Sequence, residues 1–122
     1  MKFPFLRPAN PAIHKMAPVD AVTMVKNKDV TLLDVRDVSE LASTGRAKGA
    51  LHIPLFLLKS QGDPRHPEFH ANLSVDKPVL IYCATGARSG MAARILAGHG
   101  FTEIYNIGSI RQWTAAGGKV SS

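Results

Sequence analysis

Cys83 and Arg88 are the two side chains in this sequence best suited to covalent chemistry on an anion. Cys83 is the only cysteine of the chain, and Arg88 follows it five positions later. A cysteine becomes a strong nucleophile when nearby positive charge stabilises its thiolate form. We therefore predict that Cys83 is a catalytic nucleophile and that Arg88 is a catalytic partner that favours negative charge beside it.

The residues around Cys83 predict a strand, a tight loop and a helix. Val79 to Tyr82 is an apolar, β-branched and aromatic run, typical of a buried strand. The helical pattern begins at Ser89, which we expect near the helix start. Main-chain N–H groups in such a loop, together with the helix dipole, form a cradle for an anion. We predict that the substrate binds to the small loop residues and to the first helical turn, at Ala84, Thr85, Gly86, Ala87 and Ser89.

A second strand is predicted at Val30–Val35, a continuous apolar run that contains one carboxylate, Asp34. Arg36 follows it, and Glu40 lies one helical turn further on. We expect Asp34 and Arg36 to form a structural network at the end of the strand, since a buried carboxylate needs hydrogen-bond partners. Glu40 is the expected partner of Arg36, and a direct chemical role for this group stays open as an alternative.

The remaining chain alternates between strand and helix patterns. It predicts an α/β fold with a central, mostly parallel sheet flanked by helices on both faces. We expect a proline-rich arm at 1–17, a single domain at 18–118 and a polar tail at 119–122. Helices are predicted at 18–27, 39–44, 55–59, 67–73, 89–99 and 110–116, and further strands at 49–54 and 103–107.

Composition excludes several classes of function. The 122 residues carry a net charge of +6, but the 15 lysines and arginines are scattered without interleaved aromatics, which argues against nucleic-acid binding. One cysteine and five dispersed histidines predict no disulfide, no metal site and no other cofactor. No apolar run reaches the roughly 20 residues of a membrane span, and no signal peptide is recognised, so a cytoplasmic location is expected.

Four motifs in series give the chain its resemblance to the rhodanese-like sulfurtransferase domain. The resemblance covers about residues 18 to 113 and is carried by the segments 33–36 with Glu40, 49–54, 82–89, and 100–108 with Trp113. Two segments depart from the family pattern. Gly108-Ser109-Ile110 stands where a glycine pair is usual, and Gly45-Arg46-Ala47-Lys48 lacks a histidine that is common in the family.

The resemblance implies transfer of a sulfane sulfur from thiosulfate or a persulfide donor to a thiol or cyanide, through a persulfide on Cys83. A protein acceptor is also possible for this family. The six-residue loop from Cys83 to Arg88 is one residue shorter than that of related phosphatases and arsenate reductases. The shorter loop favours a single sulfur over a tetrahedral oxyanion. The alternative is an interaction module that carries sulfur or senses oxidants without catalysis.

Overall fold

A computed structural model describes residues 10–121, so the first nine residues of the predicted arm and Ser122 lie outside the described residues. Its main sheet has five parallel strands in the order β1-β6-β5-β2-β4. These strands are β1 (Ile13–Lys15), β2 (Thr31–Asp34), β4 (Leu51–His52), β5 (Val79–Cys83) and β6 (Ile104–Ser109). A separate antiparallel pair joins β3 (Arg46–Ala47) to β7 (Val120–Ser121).

Helices cover both faces of the sheet, which confirms the predicted α/β fold. They are α1 (Pro18–Asn27), α2 (Val38–Thr44), α3 (Leu58–Gln61), α4 (Ala87–Gly98) and α5 (Ile110–Ala115), with a 3-10 turn at Leu55–Leu57. Side chains of α3 and α4 pack with one core cluster, and those of α1 and α5 pack with the other.

The central strand β5 divides its side chains between these two clusters. Every residue of β5 is buried, as expected for a parallel strand covered on both faces. Val79, Ile81 and Cys83 belong to the cluster under α4, whereas Leu80 and Tyr82 belong to the cluster under α1 and α5. Because side chains alternate along a strand, the register of β5 directs Cys83 toward the helix that follows it.

The long helix α4, predicted over 89–99, ends at Gly98 and is followed by a glycine cap. Gly100 takes a left-handed conformation with φ of 96°, which glycine adopts without steric cost. The Gly100 N–H donates to the Ala97 carbonyl and the Phe101 N–H donates to the Leu96 carbonyl, the Schellman pattern. Phe101 is buried in the core, so the cap also fixes an apolar contact.

Three short strands were not anticipated, and two of them lie outside the predicted domain bounds of 18–118. Strand β1 forms within the predicted proline-rich arm by pairing with β6, and β7 forms within the predicted tail by pairing with β3. Such strands are two or three residues long and depend on a partner distant in sequence. Local patterns therefore carry little sign of them.

The helix predicted at 67–73 is wrong, because this segment forms a series of turns. Two histidine rings close these turns locally. His66 Nδ1 accepts from the Glu68 N–H at 3.0 Å, and His70 Nδ1 accepts from the Asn72 N–H at 3.1 Å. Side-chain acceptors that satisfy nearby backbone donors compete with helix formation.

A buried polar network ties the end of β2 to β5. The Arg36 guanidinium donates to both carboxylate oxygens of Asp34, at 2.8 to 3.1 Å, and the Tyr82 hydroxyl donates to Asp34 at 2.6 Å. Asp34 and Arg36 are both almost fully buried. Arg36 donates its remaining bonds to the Thr44 hydroxyl and the Gly45 carbonyl, both at 2.7 Å. The predicted pairing of Arg36 with Glu40 is therefore wrong.

We predict that Asp34→Asn destabilises the fold by about 3–5 kcal/mol, because it leaves the Arg36 charge buried without its counter-ion. The matched control is Asp29→Asn, which breaks the exposed ion pair with Lys77 and should cost less than about 1 kcal/mol. Denaturant unfolding of both variants measures the difference. Equal losses of stability in the two variants would show that the buried pair stabilises the fold no more than the exposed pair does.

Candidate active site

Cys83 is the last residue of β5, and its sulfur lies inside the loop that leads into α4. The Gly86 N–H donates to Cys83 Sγ at 2.9 Å. The helix begins at Ala87, two residues earlier than expected, and the Gly90 N–H closes its first turn on the Gly86 carbonyl. Of the predicted loop residues, Thr85, Gly86 and Ser89 direct donors at the sulfur, and Arg88 lies beside Ser89 in the first turn of the helix.

The surroundings of the sulfur lower the pKa of the Cys83 thiol. Burial alone would raise that pKa, because a thiolate loses its hydration. Hydrogen bonds from the Ser89 hydroxyl and from the backbone N–H groups of Ser89, Thr85 and Gly86 outweigh this effect. The thiolate is therefore favoured at a site that has no exposed surface.

Gly86 makes the turn of this loop possible. Its φ is 100°, in the left-handed region that side chains with a Cβ disfavour. In this conformation its N–H faces the sulfur while its carbonyl accepts from the Ser89 hydroxyl at 3.0 Å and from the Asn106 amide at 3.2 Å. One residue thus supplies a donor to the thiolate and an anchor for the loop.

Asn106 is a site residue that the sequence reasoning missed. Its Oδ1 accepts from the Ser89 hydroxyl at 2.7 Å and from the Gly108 N–H at 3.1 Å. Asn106 is in register with Ile81, whose side chain belongs to the cluster under α4, so the alternation of β6 directs Asn106 to the same face of the sheet as that helix. A polar residue in the middle of an apolar strand was the available signal.

Ser89 lies fully buried between Cys83 and Asn106. Its oxygen is 3.6 Å from Cys83 Sγ, so it accepts from the thiol or, after rotation, donates to the thiolate. With the thiol protonated, the Ser89 hydroxyl donates to Asn106 Oδ1. Because the hydroxyl carries a single proton, it gives up that bond when it turns to donate to the thiolate. The hydroxyl can therefore follow a change in the charge of the sulfur without any movement of the backbone.

Arg88 is held by Glu40, one of the predicted structural residues. The guanidinium nitrogens Nη1 and Nη2 of Arg88 donate to the two carboxylate oxygens of Glu40 at 2.5 and 2.8 Å, and an Asp37 oxygen lies 4.0 Å from Nη1. The hydrogen bond from Arg88 lowers the pKa of Glu40 to about 2. The negative charge of a Cys83 thiolate also contributes to raising the pKa of Arg88, which places the arginine within the field of the sulfur.

The residues described in the structure contain no group of three or more histidine, cysteine, aspartate or glutamate side chains arranged to hold a metal ion. Within 10–121, every helix is too short or too polar to cross a bilayer.

Sequence comparison relates most of the chain to one family. The family model of the rhodanese-like domain matches residues 17–116. The uncharacterized protein YqhL of Bacillus subtilis is 39% identical over 92 residues, which cover 75% of this chain and 64% of that protein, less than two thirds of its length. Thiosulfate sulfurtransferase GlpE of Coxiella burnetii is 33% identical over 98 residues, covering 80% of this chain and 83% of GlpE.

Solved structures give the same relationship. A Rhodopseudomonas palustris protein of unknown function, RPA3614, described as a possible tyrosine phosphatase, superposes with a TM-score of 0.82 at 27% identity and 99% coverage of both chains. A rhodanese-related protein of Thermoplasma volcanium superposes with a TM-score of 0.69 at 28% identity, covering 88% of this chain and 96% of that one. With its fold, its cysteine loop and these relatives in agreement, the chain belongs to the rhodanese-like domain family.

Proposed function

We propose that this protein is a sulfurtransferase that carries a sulfane sulfur as a persulfide on Cys83. The observation that carries the proposal is the cysteine sulfur enclosed by N–H groups of a six-residue loop, one of them at 2.9 Å. Such donors stabilise negative charge both on the attacking thiolate and on the outer sulfur of a persulfide. The GlpE relatives, named thiosulfate sulfurtransferases, support the same chemistry.

The proposed reaction has two displacements at sulfur. The Cys83 thiolate attacks the outer sulfur of thiosulfate, a new S–S bond forms, and the original S–S bond breaks as sulfite leaves with its electron pair. A thiolate or cyanide acceptor then attacks the outer sulfur of the persulfide and releases the Cys83 thiolate. No proton transfer to the leaving group is needed, and we propose a reducing compartment such as the cytoplasm as its setting.

A phosphatase activity receives less support, although one structural neighbour is described as a possible tyrosine phosphatase. Such an enzyme protonates a leaving alkoxide or phenoxide and therefore needs an available general acid. Two carboxylates near the loop are already engaged by cations, Asp34 by Arg36 and Glu40 by Arg88. The low pKa of Glu40, about 2, keeps that carboxylate ionised.

The second candidate is a rhodanese-like interaction module that exchanges sulfur with a partner protein or senses oxidants. The zero exposure of Cys83 favours it, because a donor reaches the sulfur only after neighbouring atoms move. A docked partner could supply that movement. Rapid sulfur exchange with a partner protein, combined with slow turnover of small donors, would distinguish this module from an enzyme acting on small molecules.

The first test is a mass measurement on the intact protein. We expect incubation with thiosulfate to add one sulfur atom, located on Cys83 by peptide mapping, and cyanide to remove it as thiocyanate. Cys83→Ser should gain no sulfur while unfolding at the same denaturant concentration within experimental error. An unmodified wild-type mass and no thiocyanate would exclude transfer from small donors.

A second prediction concerns the Ser89 hydroxyl. Ser89→Ala removes a hydrogen-bond donor to the thiolate, so the pKa of Cys83 should rise and its alkylation rate at neutral pH should fall. The rate of reaction with iodoacetamide, followed across a pH series, measures the pKa. Ser74→Ala, on a loop away from the cysteine, is the control. An unchanged pH profile for Ser89→Ala would show that the backbone N–H groups alone lower the pKa of Cys83.

A third prediction separates the roles of Glu40 and Arg88. Glu40→Gln removes a negative charge and leaves Arg88 uncompensated, so the pKa of the Cys83 thiol should fall. Arg88→Met removes the positive charge, so the same pKa should rise. The iodoacetamide pH series measures the pKa of Cys83 in both variants. Asp63→Asn is the control, because it removes a carboxylate that is paired with an arginine elsewhere, Arg65. Shifts of the same sign in both variants would contradict an electrostatic role for Arg88.

A further inference from the structure

A cleft with a volume of about 360 Å³ opens beside the cysteine loop, between α2 and the start of α5. Ala84, the residue after Cys83, forms part of its wall, and Arg111 lies on the α5 side. The α2 side contributes Glu40 and the hydroxyl groups of Ser39 and Ser43. The cleft thus has a largely apolar wall, to which Ile110 contributes, with a few polar and charged groups, and it touches the loop that holds the sulfur.

Strand pairing brings Arg111 close to the reactive cysteine. Cys83 is in register with Ser109 at the ends of β5 and β6. Ala84 follows the first strand, and Ile110 and Arg111 follow the second, so the two chain segments leave the sheet side by side. The side chain of Ile110 is buried, whereas Arg111 is exposed.

Charge pairing makes Arg111 different from the other arginines of this region. Arg36 is neutralised by Asp34, and Arg88 is neutralised by Glu40. In the part of the chain that the structure describes, no carboxylate lies within 4.0 Å of the Arg111 guanidinium. The charged residues that line the cleft are Arg36, Glu40 and Arg111. Arg36 and Glu40 are each held in an ion pair, whereas Arg111 makes none with the described residues.

We propose that Arg111 binds the charged end of an anionic sulfur donor and makes the cleft selective for a dianionic donor such as thiosulfate over a neutral one. This inference rests on the proposed sulfur transfer at Cys83. The planar guanidinium matches the oxygens of a sulfonate-like group better than a point charge does.

The proposal divides the work between two arginines. Arg88 stabilises the thiolate of Cys83, and its guanidinium is held by Glu40. Arg111 therefore binds the anionic donor. During transfer the Cys83 thiolate attacks the outer sulfur and sulfite leaves with the electron pair of the broken S–S bond. The guanidinium of Arg111 stabilises the oxygens of the donor and then of sulfite.

Steady-state kinetics of Arg111→Gln test this assignment with two donors, dianionic thiosulfate and the neutral trisulfide of 2-mercaptoethanol, both assayed with excess 2-mercaptoethanol. With the trisulfide, Cys83 displaces one 2-mercaptoethanol thiolate, and a second thiolate then removes the other as a disulfide and leaves the persulfide. We expect KM for thiosulfate to rise about tenfold, equivalent to about 1.4 kcal/mol of binding free energy, with kcat within twofold. KM for the neutral donor should stay unchanged, and Arg111→Lys should recover part of the loss. Arg94→Gln, an exposed arginine on α4, is the matched control.

A binding measurement keeps the test independent of turnover. Sulfate is an unreactive dianion of similar shape, and we expect it to slow alkylation of Cys83 by iodoacetamide in the wild-type protein at constant ionic strength. The protection should disappear in Arg111→Gln and persist in Arg94→Gln. Equal protection in both variants, or equal loss of activity with both donors, would overturn the role of Arg111. Absence of any sulfur transfer combined with intact, Arg111-dependent protection would instead overturn the proposed function.

Discussion

The site depends on one constraint, the stabilisation of a charged sulfur that has no contact with bulk water. Burial penalises the thiolate of Cys83, and the loop offsets that penalty with N–H groups whose direction is set by the backbone. Because these donors are fixed before the reaction, little reorganisation is needed when charge appears on the sulfur. The left-handed conformation of Gly86 and the early start of α4 at Ala87 both serve this arrangement.

The elements around the loop contact the residues that donate to the sulfur or stabilise its charge, rather than the sulfur itself. Asn106 on β6 accepts a hydrogen bond from the Ser89 hydroxyl, and the Glu40–Arg88 ion pair joins α2 to the first turn of α4. The buried Asp34–Arg36 pair stabilises the adjoining strand end. Paired in this way, Arg36 and Arg88 have little charge left to attract a ligand, which gives the unpaired Arg111 its importance for donor binding.

Burial of the nucleophile also shapes the chemistry that the protein can support. A persulfide is easily lost to other thiols, and a sulfur with no exposed surface is protected from such side reactions. The same burial requires local movement before a donor or acceptor reaches it. Thr85 and Ala87 on the loop are exposed, so the side of the loop that faces solvent is free to adjust while β5 stays fixed in the core.

The sequence alone determined the layout of the protein, because the signals were local. Neighbouring positions are enough to recognise the apolar runs of β5 and β2, the small residues after Cys83 and the glycine at position 100. The family motifs then predicted the chemistry of Cys83. Tertiary structure decided which charges meet. Glu40 pairs with Arg88, 48 positions away, rather than with Arg36, and Asn106 reaches Ser89 across 17 positions. Such partners follow from the order and register of strands that are distant in sequence, and a one-dimensional pattern contains neither.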